Sequence, residues 1–143
     1  MAAEWRRVMG ANLDGAFYLS QQVVPAMKAQ RYGRIINTSS LAAKTGGLTA
    51  GTAYSVSKGA MSALTFSLAR ELASFGVTAN AIAPAYVKTP MITEQLNEEQ
   101  RQKLLKDIPV GRFCAKLACA RASLRQCSPH CGLLVSSIFS PKP

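Results

Sequence analysis

Ala53-Tyr54-Ser55-Val56-Ser57-Lys58-Gly59-Ala60 is the stretch on which the reading of this chain turns. A spacing of four residues puts Tyr54 and Lys58 on one helix face, a turn apart. A free phenol titrates near ~10. A neighbouring cation favours its ionised form. Such a pair can hand a proton to an oxygen and take it back near neutral pH. Ser40 stands fourteen residues before Tyr54. A serine hydroxyl brought in from a neighbouring loop can hold a substrate carbonyl or hydroxyl against the phenol. These are the parts needed to move a proton on and off an oxygen while a hydride moves elsewhere.

The flanking segments extend the pattern. Upstream, Arg34-Ile35-Ile36-Asn37-Thr38-Ser39-Ser40 reads as a short buried strand that runs into serines. Downstream, Val77-Thr78-Ala79-Asn80-Ala81-Ile82-Ala83 reads as a second strand, followed by Pro84-Ala85-Tyr86-Val87-Lys88-Thr89-Pro90. Near the start stands Asn12-Leu13-Asp14-Gly15-Ala16-Phe17. A bare Tyr-x-x-x-Lys occurs in many helices by chance, but four motifs in this order do not. Over about residues 3–113 they resemble the short-chain dehydrogenase/reductase family, and within it the branch of 3-oxoacyl-carrier-protein reductases and related sugar-alcohol dehydrogenases.

The resemblance implies an α/β fold: part of a Rossmann-like, doubly wound parallel sheet, comprising the C-terminal catalytic half without the Gly-rich first βα unit. It implies reversible hydride transfer between NAD or NADP and a small carbonyl or alcohol. Tyr54 would be the general acid/base, and Lys58 would favour its ionised form and hold the nicotinamide ribose. Ser40 would orient the substrate oxygen, and Asn12 would hold a water that relays protons to the lysine. Pro84, Val87 and Thr89 would lie along the nicotinamide. Two departures stand out. The serine-to-tyrosine distance is one residue longer than the commonest spacing, which leaves Ser39 as an alternative to Ser40. Ala85 also replaces the usual glycine after Pro84.

A dinucleotide pyrophosphate needs a Gly-rich turn and a helix N-terminus. The sequence holds no such turn. Gly46-Gly47 and Gly51 follow the serine strand and read instead as an active-site loop. At ~30 residues per βαβ unit, the missing half corresponds to on the order of 90 residues. The chain is therefore expected to be a truncated form, weakly active or inactive by itself. The rival expectation is a non-catalytic module that pairs with a full-length relative.

Composition narrows the alternatives. The chain has 143 residues, 48% hydrophobic and 17% charged, ordinary for one globular domain. No apolar run reaches the ~18 residues of a membrane span. No secretory signal pattern opens the chain, so the cytoplasm is the default expectation. The net charge is +10. Its basic residues are scattered, not laid in a stripe with interleaved aromatics, so no specific nucleic-acid partner is expected.

Composition changes near residue 113. Cys114, Cys119, Cys127, Cys131 and His130, the only cysteines and histidine, all follow it, and no acid does. Cys127, His130 and Cys131 could supply soft zinc ligands. Paired Cys-x-x-Cys spacing is lacking, and no metal is expected. The reading divides the chain into residues 1–113, the catalytic half, and residues 114–143, a basic Cys/Ser-rich tail that is disordered or read out of frame.

Hydrophobic periodicity predicts helices over 3–29, 53–75 and 94–106 and strands over 34–39 and 77–83. Pro25 should bend the first helix. Gly76 should close the second helix, whose apolar face is Val56, Ala60, Ala63, Leu64, Leu68 and Leu72. Helix 94–106 would cover the substrate as a lid. The resemblance also implies a homo-oligomer or dimer formed through helices 3–29 and 53–75.

Overall fold

The computed structural model describes residues 1–47, 50–88, 94, 96–108, 111–115 and 136–137. The first helical stretch is α1 (Ala2–Met9), a π-helical turn (Gly10–Asp14) and α2 (Gly15–Ala29), running on without a loop. Sequence periodicity predicts this stretch as one regular helix. It does not reveal the π turn, because one residue of extra winding hardly alters a pattern of apolar positions. Pro25 lies inside α2.

Strand β1 (Gly33–Thr38) comes next, then α3 (Ala42–Thr45) inside what was expected to be loop, and then the long α4 (Gly51–Leu72). A 3-10 turn (Ala73–Phe75) ends at Gly76, whose φ of 71° is left-handed. Strand β2 (Val77–Ala83) runs parallel to β1, paired from Gly33–Val77 to Thr38–Ile82. Parallel neighbours need a crossover connection, which α3 and α4 provide.

The sheet has a third strand. β3 (Ser136–Ser137) lies parallel to Ile82 and Ala83, giving the order β1-β2-β3. The sequence reading placed no strand in the tail. The two serines interrupt an apolar run, Leu133-Leu134-Val135 and Ile138-Phe139, so no period-two alternation marks a strand there, and the edge of β2 gives them a partner.

Alternation along the strands sends Ile35 and Asn37 of β1 and Val77, Ala79 and Ala81 of β2 to one face. Ile35, Val77 and Ala79 pack there with Leu72 of α4, and Val24 and Met27 of α2 join them. Both long helices thus cover the same face of the sheet. Close approach is built in at Gly33, where a Cβ would stand 2.5 Å from the Met27 sulfur.

The buried side of α4 differs from the expected one. It runs through Ser57, Met61, Thr65 and Leu72, whereas Val56 is 43% exposed and Ala63 is exposed. The cause is hydrogen bonding. Thr65 accepts a 2.9 Å bond from the buried Asn37 amide, so two small hydroxyl residues, Ser57 and Thr65, face inward. Val56 and Ala63 turn outward.

Helix α5 (Glu98–Asp107) begins later than expected because Asn97 caps it. Its side chain accepts from the Gln100 amide at 2.8 Å, and the Gln100 side chain accepts from the Asn97 amide at 3.0 Å. Leu96 and Leu104 pack with Tyr86 and Phe113. No helix among the described residues is long and apolar enough to cross a membrane.

Candidate active site

The site forms where the C-terminal end of β1 meets the first turns of α4. Two bonds stitch these elements together. The Lys58 ammonium donates to the Thr38 carbonyl at 2.8 Å, and the Ser39 hydroxyl donates to the Lys58 carbonyl at 2.8 Å. Ser39 also shares a 2.8 Å hydrogen bond with the Ser62 hydroxyl and is 2% exposed. Its hydroxyl is committed to fastening strand to helix. Ser40, the next residue, is half-buried, and its oxygen accepts from the Ala42 amide at 3.2 Å. That leaves the Ser40 O–H hydrogen free to point elsewhere. Of the two serines left open by the sequence, Ser40 is the one able to donate to a bound oxygen.

Tyr54 lies on the first turn of α4 and is half-buried. Among the described residues its hydroxyl has no hydrogen-bond partner. The Lys58 nitrogen stands 5.6 Å from the centre of its ring. Burial holds the Lys58 ammonium below the ordinary lysine pKa, since the charged form gives up water there. Thr38 takes only one of its three hydrogens. An open cleft of about 1030 Å³ between α1 and the start of α4 also borders Tyr54, on Trp5, Val8 and Gly51–Ala53. Ser40 and Lys58 do not line it, so it is not where a substrate would meet all three groups.

Asn12 comes from the π turn. π turns inside α-helices recur at functional sites. Its amide donates to the Ser57 hydroxyl at 2.9 Å, and Ser57 donates to the Tyr54 carbonyl at 2.7 Å. Asn12 is thereby joined to the Tyr54 turn, 45 residues away in sequence. The sequence reading missed Ser57 altogether, although a hydroxyl residue on the inward side of the Tyr-x-x-x-Lys turn was the available signal.

Of the residues expected along the nicotinamide, Pro84 follows β2, and its carbonyl accepts from the Leu41 amide at 3.0 Å. Val87 forms an isolated parallel bridge with Cys114. The flanking bonds are Cys114 N–H to the Tyr86 carbonyl, 2.8 Å, and Lys88 N–H to the Cys114 carbonyl, 3.0 Å. Thr89 lies outside the described residues, as do Cys127, His130 and Cys131.

Residues 1–100 match the family model "short chain dehydrogenase". The chain is 38% identical over 135 residues to a 2-dehydro-3-deoxy-L-rhamnonate dehydrogenase (NAD(+)) of Sphingomonas sp., covering 94% of this chain and 53% of that protein. It is 40% identical over 136 residues to the 3-oxoacyl-(acyl-carrier-protein) reductase FabG of Aquifex aeolicus, covering 95% and 54%. Both alignments run past residue 113. A crystal structure of a 3-oxoacyl-(acyl-carrier protein) reductase from Brucella melitensis superposes with a TM-score of 0.88 at 32% identity, covering 94% of this chain and 52% of that one. The chain thus spans about half the length of the relatives it matches. With a parallel sheet, a Tyr54–Lys58 turn against the end of β1 and these matches, the chain belongs to the short-chain dehydrogenase/reductase family.

Proposed function

We propose that the chain carries the proton-transfer half of an NAD- or NADP-dependent carbonyl reductase and alcohol dehydrogenase, with Tyr54, Lys58, Ser40 and Asn12 as its working residues. The observation that carries this reading is a half-buried Tyr54, its hydroxyl unpartnered among the described residues, with a partly desolvated ammonium over its ring at a strand end that also presents Ser40. The residues present fit the nicotinamide-ribose end of a dinucleotide: the ammonium keeps hydrogens for a ribose hydroxyl, and the Pro84 carbonyl is tied by a backbone bond to Leu41, the residue after Ser40. A bound nicotinamide supplies or receives the hydride. Tyr54 gives its phenolic proton to the carbonyl oxygen on reduction and removes it from the alcohol on oxidation. Lys58 sets its positive charge 5.6 Å from the centre of the Tyr54 ring. Ser40 donates to the same substrate oxygen and sets its direction. Asn12 orders the proton path behind Lys58.

Titrating the isotope-labelled chain with reduced nicotinamide mononucleotide tests this. The Lys58 and Val87 resonances should move together. Shifts confined to the Trp5–Gly51 cleft would refute the reading. If carbonyl reduction is measurable, Tyr54→Phe should lower it at least ~100-fold, the usual worth of a general acid. Turnover that survives the substitution would remove Tyr54 from its role.

A second reading rests on a separate observation. Phe17, Tyr18, Leu19 and Val23 on α2 and Val56 and Phe66 on α4 are all more than 40% exposed. These helices would pair with the same helices of a second copy, or of a longer relative, and the assembled enzyme would then act on a small carbonyl or alcohol.

A further inference from the structure

Among the described residues, Ser57 joins the π turn to the Tyr54 turn through two hydrogen bonds on its single oxygen. It is fully buried, at 0% exposure. Its oxygen accepts from Asn12 Nδ2 at 2.9 Å and its hydrogen goes to the Tyr54 carbonyl at 2.7 Å. A serine that bonds back to a carbonyl of its own helix is commonplace. Here the hydroxyl also accepts from an amide on the preceding helical stretch, which makes it a relay between the two elements. We propose that Ser57 is a positioning residue that locks the first turn of α4, and with it the Tyr54 and Lys58 side chains, to the Asn12 amide of the π turn. This deepens the dehydrogenase reading and rests on it for the roles of Tyr54, Lys58 and Asn12. The hydrogen-bond relay itself can be tested without turnover.

The physical case is one of alternatives. Without the Ser57 oxygen, the half-buried Asn12 amide loses its acceptor, and an unsatisfied donor there is costly. It must then turn toward solvent or draw water in. The Tyr54 carbonyl loses its second donor and the turn gains freedom. Lys58 is the next residue along, and its ammonium feels any water that enters. Ser39 holds the Lys58 carbonyl from the strand side, and Ser62 of the same helix donates to that carbonyl as well. Ser57 holds the preceding turn from the helix side, so the catalytic turn is gripped from both directions.

The test uses the full 143-residue chain, labelled for NMR. Two readouts are followed: exchange of the Asn12 side-chain amide protons with solvent, and the pH titration of the Lys58 Cε signal. Ser57→Ala should speed the Asn12 exchange about fivefold, the worth of one net hydrogen bond. It should also move the Lys58 titration up toward the ordinary lysine value of ~10.4. Ser57→Cys, close in size with a weaker donor and acceptor, should fall between. Ser67→Ala, exposed on the same helix, should change neither. If Ser57→Ala fails to fold by circular dichroism, Asn12→Ala carries the test from the other end: it should move the Lys58 titration in the same direction, and adding Ser57→Cys should move it no further. Ser57→Ala that behaves like Ser67→Ala, or additive effects of Asn12→Ala and Ser57→Cys, would overturn the relay. A chain that passes these measurements but shows no response to nicotinamide mononucleotide would retain the relay and lose the dehydrogenase reading instead.

Discussion

Lys58 holds its proton less firmly in the folded chain than in the unfolded one, because burial disfavours the ammonium. Its ionisation therefore opposes folding at neutral pH, where both forms are protonated. The penalty fades as the pH rises from the depressed folded value toward the ordinary ~10.4. The wild-type melting temperature should accordingly rise relative to that of Lys58→Met between pH 7 and pH 10, and the Lys58 Cε signal should titrate below the ordinary lysine value of ~10.4. A constant difference between the two proteins across that range would show that the ammonium is as well hydrated as in the unfolded chain. The two neighbouring serines should separate at this same scale. Ser39→Ala removes the bonds to Lys58 and Ser62 and should cost about 1–2 kcal/mol in urea denaturation, the net worth of two hydrogen bonds, the Lys58 carbonyl keeping its Ser62 donor. Ser40→Ala gives up one 3.2 Å bond at a half-buried place and should cost less.

At the scale of elements, the joint between α4 and β2 depends on Gly76. Its left-handed φ suits glycine, and an added Cβ would stand 2.5 Å from the Arg31 carbonyl oxygen, a backbone atom with little room to move. Gly76→Ala should destabilise by about 1–3 kcal/mol or more, measured by the urea midpoint at unchanged slope. Inside the crossover, Asn37 and Thr65 satisfy each other across the strand–helix contact. Thr65→Val keeps the shape but leaves the Asn37 amide without an acceptor, and a loss of about 1–3 kcal/mol should follow. If Thr65→Val proved neutral, water would have to reach that amide, and the close strand–helix packing drawn from it would fail.

At the scale of the whole molecule, the outward apolar residues of α2 and α4 set the expectation. Phe66 is 46% exposed and Tyr18 is 61% exposed. An apolar surface of this kind marks an interface more often than a solvated face. Light scattering of the purified chain should report a mass above that of the 15.3 kDa monomer, and Phe66→Glu should shift it down without loss of helicity. A monomer that is indifferent to Phe66→Glu would discard the pairing.

The sequence by itself determined the strand–helix–strand unit, the family and the helical spacing of Tyr54 and Lys58, because periodicity, turn glycines and spacing are local properties of the chain. It also supplied the choice of Gly76 as the helix stop, which needs only one residue's backbone freedom. The tertiary structure decided what depends on partners distant in sequence. It turned Ser57 and Thr65 inward and Val56 and Ala63 outward, since hydrogen bonds to Asn12 and Asn37 outweigh a modest gain in apolar burial. It gave Ser39 to the helix and left Ser40 available. It wound Asn12 into a π turn and set a two-residue strand from the tail beside β2. Each of these is a contest between local preference and a non-local partner, and a sequence read one segment at a time contains only the first contestant.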